Sequence, residues 1–582
     1  MGLRSKAAAA AAVLAVALVG GNAAAGASVR AHTASPVTIS IFGGASTSMA
    51  NFNTNWYTQW VKSTFGITFN ADLVPSTTVS QKEPVLMESG AYPDALFNAN
   101  ITNDEAELWG SQGLLIPLNG LIKKYAPNVW HTIQTDPTYR EKVVGPNGKI
   151  YALGPVNGCE HCLAPYDYWI NVKYLQQYHL NLPRTTAQFE HVLEVFKDHG
   201  LVPLAGSTTG YGTSMVVFLM NSFVPLQQNP VEVSSAGSSG SNLIDVQNNK
   251  TYFAPATKGW EQGLEYLHTL YSKGLFSSDV LTQPNTAVAR LVARNDLGVA
   301  AISNIAQDVP NYTGDQQWVM LPPLRGPHGV QSISFEPQTL SSGLTMAITN
   351  HASKAQAIAL MKLVNNIFTL DGNQRADYGP PGEYWTPAKK GQRGETGLQA
   401  RWNNDTGTLF SSGTLQNGGW QQFGIYDNSA LYRNLQAAAS PYSKNGLNTL
   451  LDLEVDLAML GHQPPQEFPG SNIWVPLSEE STFNTEQANI DAYVSEWLGY
   501  FITGSKSLPR DWNSYLAGLN ALGLKQYMQI ATKAMGAPID GAAREYQQNK
   551  RQISFLLHYG HVSALMKKYL IQSGAKPSDF AR

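Results

Sequence analysis

One stretch constrains the fold more than any other, the segment Gly148 to Leu175 with the sequence GKIYALGPVNGCEHCLAPYDYWINVKYL. It is extended, aromatic and interrupted by turn residues. It lies between two regions that each alternate short apolar runs with helical patterns. We interpret it as a strand that crosses from one α/β lobe to another. Because the chain later returns to each core, we expect two lobes joined by several crossings, around a cleft that opens and closes about a hinge.

The charge balance excludes some classes of partner. The 582 residues include 39 Lys and Arg against 42 Asp and Glu, a formal net charge of -3. That balance lacks the basic surface of a nucleic-acid-binding or membrane-surface protein. Charged residues make up only 14% of the chain, against about a quarter in ordinary soluble domains. We therefore expect a neutral, hydrogen-bonding surface, and we hypothesise that the protein works in acid, where carboxylate ion pairs are lost.

The beginning of the chain has the pattern of a secretory signal. Arg4 and Lys6 precede the uncharged apolar run Ala7 to Val19, and small residues suited to cleavage follow near Ala25. The run is shorter than the roughly 20 residues that span a bilayer. We predict a signal peptide over residues 1–27 and an exported protein, with an uncleaved tethering helix as the alternative. No cysteine lies near the cleavage region, so no lipid anchor is expected there.

The two cysteines of the chain, Cys159 and Cys162, lie within the crossing segment. A zinc site usually has four ligands, and here one pair and His161 stand alone. A thioredoxin-like redox pair would begin a helix after a strand, whereas Gly158 and Pro165 place this pair in a loop. In an exported protein a disulfide is the favoured interpretation, and its main effect would be to stiffen the crossing loop.

The regions on either side of the crossing contain α/β signals. Val37 to Phe42 predicts a strand, and Ile67 to Phe69 a second strand after a helix. Beyond the crossing, Thr185 with Gln188 predicts a capping box. Two further crossings are predicted, and the remainder is predicted to be rich in helices. The crossings are expected in Val319 to Ile348 and near Asp371 to Pro387.

Several segments together resemble the extracellular solute-binding proteins of family 1, the carbohydrate receptors of ABC importers, and specifically their large, lipoprotein-like branch. Each motif is weak alone, but their order and spacing extend along most of the chain. The segments that carry the resemblance are Gly90 to Asp94, Gly113 to Asn128, Gly148 to Leu153, Trp169 to Leu193, Gly379 to Thr386, and Phe501 to Gly504 followed by Asp511 and Trp512.

The resemblance implies an α/β protein with the type II periplasmic-binding-protein fold, in which two α/β lobes are joined by three crossing segments around a cleft. We expect lobe one to comprise residues 36–160 and 335–378, and lobe two residues 161–334 and 379–536. Two features depart from the branch. The lipidated cysteine that usually follows the signal is absent, and residues 537–582 form an expected helical C-terminal extension beyond the usual end.

A sugar-binding cleft needs aromatic platforms and neutral or carboxylate hydrogen-bonding groups, because sugars present flat C–H faces and rims of hydroxyls. We select the residues of these types that follow strands or lie in crossings, and the resemblance favours Trp385 in particular. The candidate ligand-binding residues are Phe42, Asn98, Asn100, Glu160, Tyr166, Asn304, Glu336, Glu383, Tyr384 and Trp385.

The sequence lacks the local motifs of metalloproteases, α/β-hydrolases, P-loop enzymes and dinucleotide-binding enzymes. No cofactor or metal is expected. We therefore predict a monomeric, non-enzymatic receptor that binds a carbohydrate and delivers it to the permease subunits of an ABC importer. The alternatives are a peptide receptor of the same fold, a sensory adaptor, and a secreted glycoside-active enzyme using two of Glu160, Glu336 and Glu383.

Overall fold

The structure, a computed structural model, describes most of the chain beyond the predicted signal peptide, which lies outside the described residues. The described ranges are 36–46, 48–208, 215–227, 243–276, 278–305, 317–335, 343–409, 415–459, 461–469, 473–536, 563–573 and 575–580. Within them, no helix combines the length and the apolar character needed to cross a membrane.

The strands are short, and most of them belong to two separate sheets. In chain order they are β1 (Val37–Ala45), β2 (Ile67–Pro75), β3 (Ala95–Ile101), β4 (Ala152–Leu153), β5 (Val156–Asn157), β6 (Tyr168–Asn171), β7 (Val202–Gly206), β8 (Ile244–Gln247), β9 (Lys250–Phe253), β10 (Leu297–Ala301), β11 (Trp318–Met320), β12 (Leu344–Ile348), β13 (Trp385–Pro387), β14 (Trp402–Asn404) and β15 (Asp427–Asn428).

The α-helices pack around these sheets. They are Trp56–Phe65, Val79–Ser89, Asn103–Ser111, Asn119–Tyr125, Pro127–Thr135, Pro137–Val143, Val172–Gln177, Thr186–Asp198, Met215–Met220, Lys258–Ser272, Asn285–Ala293, Lys354–Ile367, Leu370–Tyr378, Thr406–Leu409, Ala430–Asn434, Leu447–Ala458, Leu477–Thr503, Leu508–Ala521, Leu524–Met535 and Ala564–Ser573. Short 3-10 turns occupy Ser76–Thr78, His161–Leu163, Ala254–Ala256, Ser278–Leu281 and Pro577–Phe580.

The two larger sheets each have a hydrophobic core of their own, which confirms the predicted two-lobe α/β architecture. The first sheet has the strand order β2-β1-β3-β12-β4, and the second has the order β11-β6-β10-β7. In the first, β1 is parallel to β2 and β3, whereas β12 runs antiparallel to β3 and β4. Two distinct clusters of buried side chains surround these sheets, so the chain folds around two cores.

Local sequence signals explain how several helices begin. Ser353 accepts a hydrogen bond from the backbone N–H of Gln356, whose side chain accepts one in return from the backbone N–H of Ser353, so this capping box is complete. At the helix Thr186–Asp198 the pattern is only half formed. Thr185 caps the backbone N–H of Gln188, but the Gln188 side chain bonds the backbone N–H of Arg184 instead.

The predicted crossing segment changes sheet as expected, but not as one strand. Its first part, β4, belongs to the first sheet and its last part, β6, to the second. Between them lie β5 and the turn His161–Leu163, since the glycines and prolines of this stretch interrupt a regular ladder. The return crossing is also present, because β11 lies in the second sheet and β12 in the first.

The third crossing lies later in the chain than expected. Residues 379–536 were assigned to the second lobe, yet Trp420, Phe423 and Ile425 belong to the first core. The chain joins the second core at the helix Leu447–Ala458. The reason is packing, because the Trp420 ring meets Tyr57 and Phe97 of the first lobe edge to face. The intervening residues 379–446 also carry the small β13-β14 sheet.

Part of the C-terminal extension is described, and it packs on the second lobe. Met566, Tyr569 and Leu570 of the helix Ala564–Ser573 are buried in the second core. The backbone N–H of Leu182 donates to the side chain of Gln572 at 3.1 Å. The helix is therefore an integral part of this lobe's surface layer.

We expect Trp420→Ala to destabilise the first lobe. The ring is 1% exposed and its Nε1 donates to Thr58 at 2.8 Å, so its loss should lower the free energy of unfolding by about 3–5 kcal/mol. Urea denaturation followed by circular dichroism measures this change, with the half-buried Trp130→Ala as control. The rate of amide hydrogen exchange should rise in β1 and β3 and stay unchanged in β6 and β10. A rise in β6 and β10 instead would contradict the assignment of Trp420 to the first core.

Candidate functional site

The first and third crossings meet in a two-stranded parallel sheet. Strand β5 pairs with β15, with Val156 opposite Asp427. The backbone N–H of Gly158 donates to the carbonyl of Asn428 at 2.8 Å. A Cβ atom on Gly158 would lie 2.5 Å from the backbone nitrogen of Ala430, so only glycine allows this approach. The two crossings are thus held together where the chain passes between the lobes.

A polar pocket lies beside this junction. One wall is the helix Leu447–Ala458, which contributes to the second core, and the other comes from residues 395–438, which also reach the first core. The residues that line it are Glu395, Asn404, Thr406, Arg433, Gln436, Ala437, Ala438, Asn445, Asn448, Thr449 and Asp452. Amides, hydroxyls and a few charged groups dominate this lining, and it contains no aromatic side chain.

The helix Leu447–Ala458, which we call the pocket helix, buries three acidic side chains. Asp452 and Asp456 are four residues apart and therefore share a face. Glu454 points elsewhere and accepts a hydrogen bond from the backbone N–H of Met320 at 3.2 Å. Burial raises the pKa of Glu454 to about 8. The helix thus presents carboxyl groups to both the pocket and the second core.

Two carboxyl groups of the pocket lining have pKa values that are shifted in opposite directions. Burial opposes the ionisation of Asp452, but the charge of His161 and its hydrogen bond outweigh it and lower the Asp452 pKa. The Nδ1 atom of His161 lies 2.5 Å from Asp452 Oδ1. Burial, followed by the charge and hydrogen bond of Asp452, raises the pKa of Glu395 well above its usual value, although Arg433 opposes the rise. The pKa values of the two groups are therefore shifted in opposite directions.

Glu160, a predicted site residue, lies next to this group. Its carboxyl interacts with that of Asp456 on the pocket helix, and burial followed by the charge of Glu160 raises the Asp456 pKa. Glu160 does not line the pocket. It lies one residue from His161, which contacts the lining residue Asp452.

The candidates on the first sheet serve its structure. Phe42 is 4% exposed in the first core, so its ring offers little surface to a ligand. Asn98 has a positive φ of 61° and joins β1 to the third crossing, since it donates to the carbonyl of Gly44 and accepts from the backbone N–H of Gly424. We leave these residues out of the proposed site.

Asn100 also participates in packing. Its backbone N–H donates to the carboxyl of Glu83, which is 1% exposed. No described contact joins Asn100 to the pocket lining, and we leave it out of the proposed site as well.

The candidates in the second lobe lie apart from the pocket lining. Tyr166 is half-buried against the second core, and Asn304, 7% exposed, follows β10. Glu336 lies outside the described residues. The ligand contacts expected of these residues stay predictions.

Glu383 and Tyr384 precede strand β13, which Trp385 begins and which pairs with a strand that contributes to the pocket lining. Trp385 is opposite the lining residue Asn404 in the β13-β14 ladder, and its Nε1 donates to the carbonyl of Gly379 at 3.0 Å. Tyr384 and Trp385 are half-buried, whereas Glu383 is exposed. The Trp385 ring is thus directed to Gly379 and the Tyr384 ring lies beside Gly418, and the ligand contacts expected of these residues stay predictions.

The sequence analysis did not select the pocket lining itself. Asn404 lies in the three-residue strand β14 and Arg433 in the five-residue helix Ala430–Asn434. Asn448 lies in the first turn of the pocket helix. One signal was available in the sequence LDLEVDLA, residues 451–458, where acidic residues alternate with apolar ones. A buried acidic side chain in so apolar a segment indicates a functional or paired group.

Comparison with known proteins identifies similar chains. The family model described as bacterial extracellular solute-binding protein matches residues 43–373. A curated relative, the fructooligosaccharide ABC transporter substrate-binding protein FusA of Streptococcus pneumoniae, is 24% identical over 269 residues. That match covers 44% of this chain and 47% of the relative, so it spans about half the length of that protein.

Solved structures share the fold. FusA of S. pneumoniae in complex with kestose has a TM-score of 0.69 at 17% identity, covering 85% of this chain and 98% of the other. A solute-binding protein of Bifidobacterium longum infantis, described as HMO-binding and associated with an ABC transporter, has a TM-score of 0.63 at 17% identity, covering 86% and 99%. At 17% sequence identity these structural similarities show a shared fold and nothing further.

The Glu83 carboxyl generates a prediction about pH. Burial, followed by the charge of Glu105, raises the Glu83 pKa from 4.5 to about 8 although the backbone N–H of Asn100 opposes the rise. Between pH 4.5 and about pH 8 the Glu83 carboxyl keeps its proton in the folded protein and loses it in the unfolded chain. The contribution of Glu83 to the free energy of unfolding is therefore full below pH 4.5 and is lost as the pH rises towards 8.

We therefore expect Glu83→Gln to raise the melting temperature relative to the wild type at pH 8, by a few degrees, and to leave it nearly unchanged at pH 4. Differential scanning calorimetry across this range measures the difference. Glu88→Gln, an exposed position of the same helix, is the matched control and should follow the wild type. If the melting temperatures of Glu83→Gln and the wild type changed in parallel with pH, the raised pKa of Glu83 would be refuted.

Proposed function

The chain belongs to the family of bacterial extracellular solute-binding proteins, and from this premise we propose that it is the receptor of an ABC importer that captures an oligosaccharide. The observation that carries the proposal is the polar pocket between the pocket helix and the segment that reaches the first core. The names of the relatives support it, since they include a fructooligosaccharide-binding and an HMO-binding protein. In this proposal the protein is exported and works as a monomer at the outer face of the cell membrane.

The lining suits a neutral, hydroxyl-rich ligand. A sugar hydroxyl both donates and accepts hydrogen bonds, and the amides of Asn404, Gln436 and Asn448 offer both functions. Asp452 adds a charged acceptor and Arg433 a charged donor, which make the stronger bonds. We propose that the half-buried rings of Tyr384 and Trp385, close in sequence to the strand that pairs with Asn404, add faces on which the C–H side of a sugar ring stacks.

Capture would occur by closure of the lobes about the β5-β15 junction. A ligand shifts the equilibrium towards the closed state only by the contacts it adds there. The pocket suits this mechanism because its walls come from segments that reach different cores. The closed form would then dock on the permease and release the sugar.

The carboxyl groups favour binding over hydrolysis. Glycosidases place two carboxyl groups about 5 Å or more apart, on either side of the scissile bond. Here Glu395 and Asp452 are hydrogen-bonded to each other, so no sugar ring fits between them. We propose that the protein binds its ligand without changing it.

Asn448→Ala should weaken sugar binding. Asn448 lines the pocket one turn before Asp452 on the pocket helix, and the loss of a buried ligand hydrogen bond costs about 1–3 kcal/mol, or at least about fivefold in Kd. Isothermal titration calorimetry with kestose and a panel of neutral oligosaccharides measures Kd. Asn520→Ala, an exposed helical position of the second lobe, is the control and should keep wild-type affinity.

The outcomes separate the candidate functions. Binding of a sugar without new reducing ends supports the receptor. Melting temperatures raised by oligopeptides and by no sugar would replace the carbohydrate with a peptide ligand, and reducing ends that disappear in Asp452→Asn would make the protein an enzyme.

A further inference from the structure

Three groups able to hold a metal ion lie together in the crossing loop. Ligand atoms of Cys159, His161 and Cys162 are all within 4.8 Å of one another, and among the residues that the structure describes no other such group of His, Cys, Asp and Glu occurs. The Sγ of Cys159 lies 3.5 Å from His161 Nε2. In the structure the two cysteines form a disulfide with a Cα–Cα distance of 5.2 Å.

The imidazole of His161 is oriented by the pocket helix. Its Nδ1 lies 2.5 Å from Oδ1 of Asp452, and the same oxygen accepts the backbone N–H of His161 at 3.0 Å. Asp452 is 2% exposed, so the carboxylate is held in place. A carboxylate on Nδ1 fixes the proton on that nitrogen and leaves the Nε2 lone pair free for a metal. Here Nε2 lies on the side of the ring that faces the two sulfur atoms, 3.5 Å from the Sγ of Cys159 and within 4.8 Å of the Sγ of Cys162.

The chemistry of this group depends on its oxidation state. Disulfide sulfurs carry no charge and are poor ligands, whereas two thiolates and a neutral imidazole form a Cys₂His set that binds zinc and leaves a fourth position for water. His161 and Cys162 are half-buried, so water reaches the group. Neither the carbohydrate pocket nor lobe closure is needed for this binding.

We propose that Cys159, His161 and Cys162 form a redox-gated site for a thiophilic divalent cation such as Zn²⁺, open in the dithiol state and closed by the disulfide. A dithiol reductant supplies two electrons and two protons to the disulfide and becomes a disulfide itself. The cation then displaces the two thiol protons and binds both sulfurs and His161 Nε2. In the reverse direction a small-molecule disulfide accepts two electrons from the two thiolates and two protons from water, and becomes a dithiol. The sulfur–sulfur bond between Cys159 and Cys162 forms again and the cation is released.

The site would connect the hinge with the pocket. The loop is bonded to the third crossing through Gly158 and Asn428 and to the pocket helix through His161 and Asp452. A metal bound here would fix the loop in place of the disulfide, at the junction of the two lobes.

Cobalt(II) binding to the full chain tests the proposal. The reduced protein, freed of reductant under argon, should bind one equivalent of Co²⁺ with a thiolate-to-cobalt charge-transfer absorption that Zn²⁺ removes. The oxidised protein should show no such absorption. This comparison needs no substitution, so it does not depend on the folding of a variant. Equal spectra in the two states, with free thiols verified in the reduced sample, would overturn the proposal.

Variants identify the ligands. We expect Cys159→Ser and Cys162→Ser each to abolish the charge-transfer band, and His161→Gln to weaken Co²⁺ binding at least tenfold and alter the visible spectrum. Asp452→Asn should weaken it by about 10- to 100-fold through the orientation of His161. His351→Gln, whose Nδ1 bonds the carbonyl of Tyr92, is the control and should bind as the wild type does. A band that persists when both cysteines are replaced would also overturn the proposal.

Discussion

The pairing of β5 with β15 is the interaction that joins the two crossings, and it fixes the arrangement of the two lobes together with direct contacts such as the hydrogen bond from the backbone N–H of Val475 to Asp104. Each lobe has its own sheet and core, so packing within a lobe does not fix its position relative to the other. The junction is tied to the first lobe through Asn373, whose side chain accepts from the backbone N–H of Asp427 and donates to Asn428. It is tied to the second through the contact of His161 with Asp452. The pocket lies where these ties converge.

A second general feature of the structure is the burial of acidic side chains. Asp377 and Glu454 are almost fully buried, and burial is the main cause that raises their pKa values, to about 7 and about 8. Such groups keep their protons in the folded state, and each makes the protein more stable as the pH falls from 8 towards 5. The hypothesis, based on the low charge content, that the protein works in acid stays a prediction.

The sequence predicted the ends of helices well where interactions between neighbouring residues determine them. The complete capping box at Ser353 begins a helix, and Gly90, with its φ of 71°, ends another. Signals that depend on distant partners were less reliable. The Gln188 side chain bonds Arg184 instead of Thr185, and the third crossing was expected too early because Trp420 packs in the first core. Nothing in the neighbouring sequence specifies which core an isolated tryptophan enters.

By itself the sequence determined the α/β alternation, the two cores and the approximate places of two crossings, because hydrophobic periodicity, caps and turn residues act over a few positions. Only the tertiary structure decided which polar groups form the pocket. Asn404, Arg433 and Asp452 are distant in the chain and come together through the pairing of β15 with β5 and the burial of the pocket helix. A site built across several segments is specified by packing between them, which no single stretch of sequence contains.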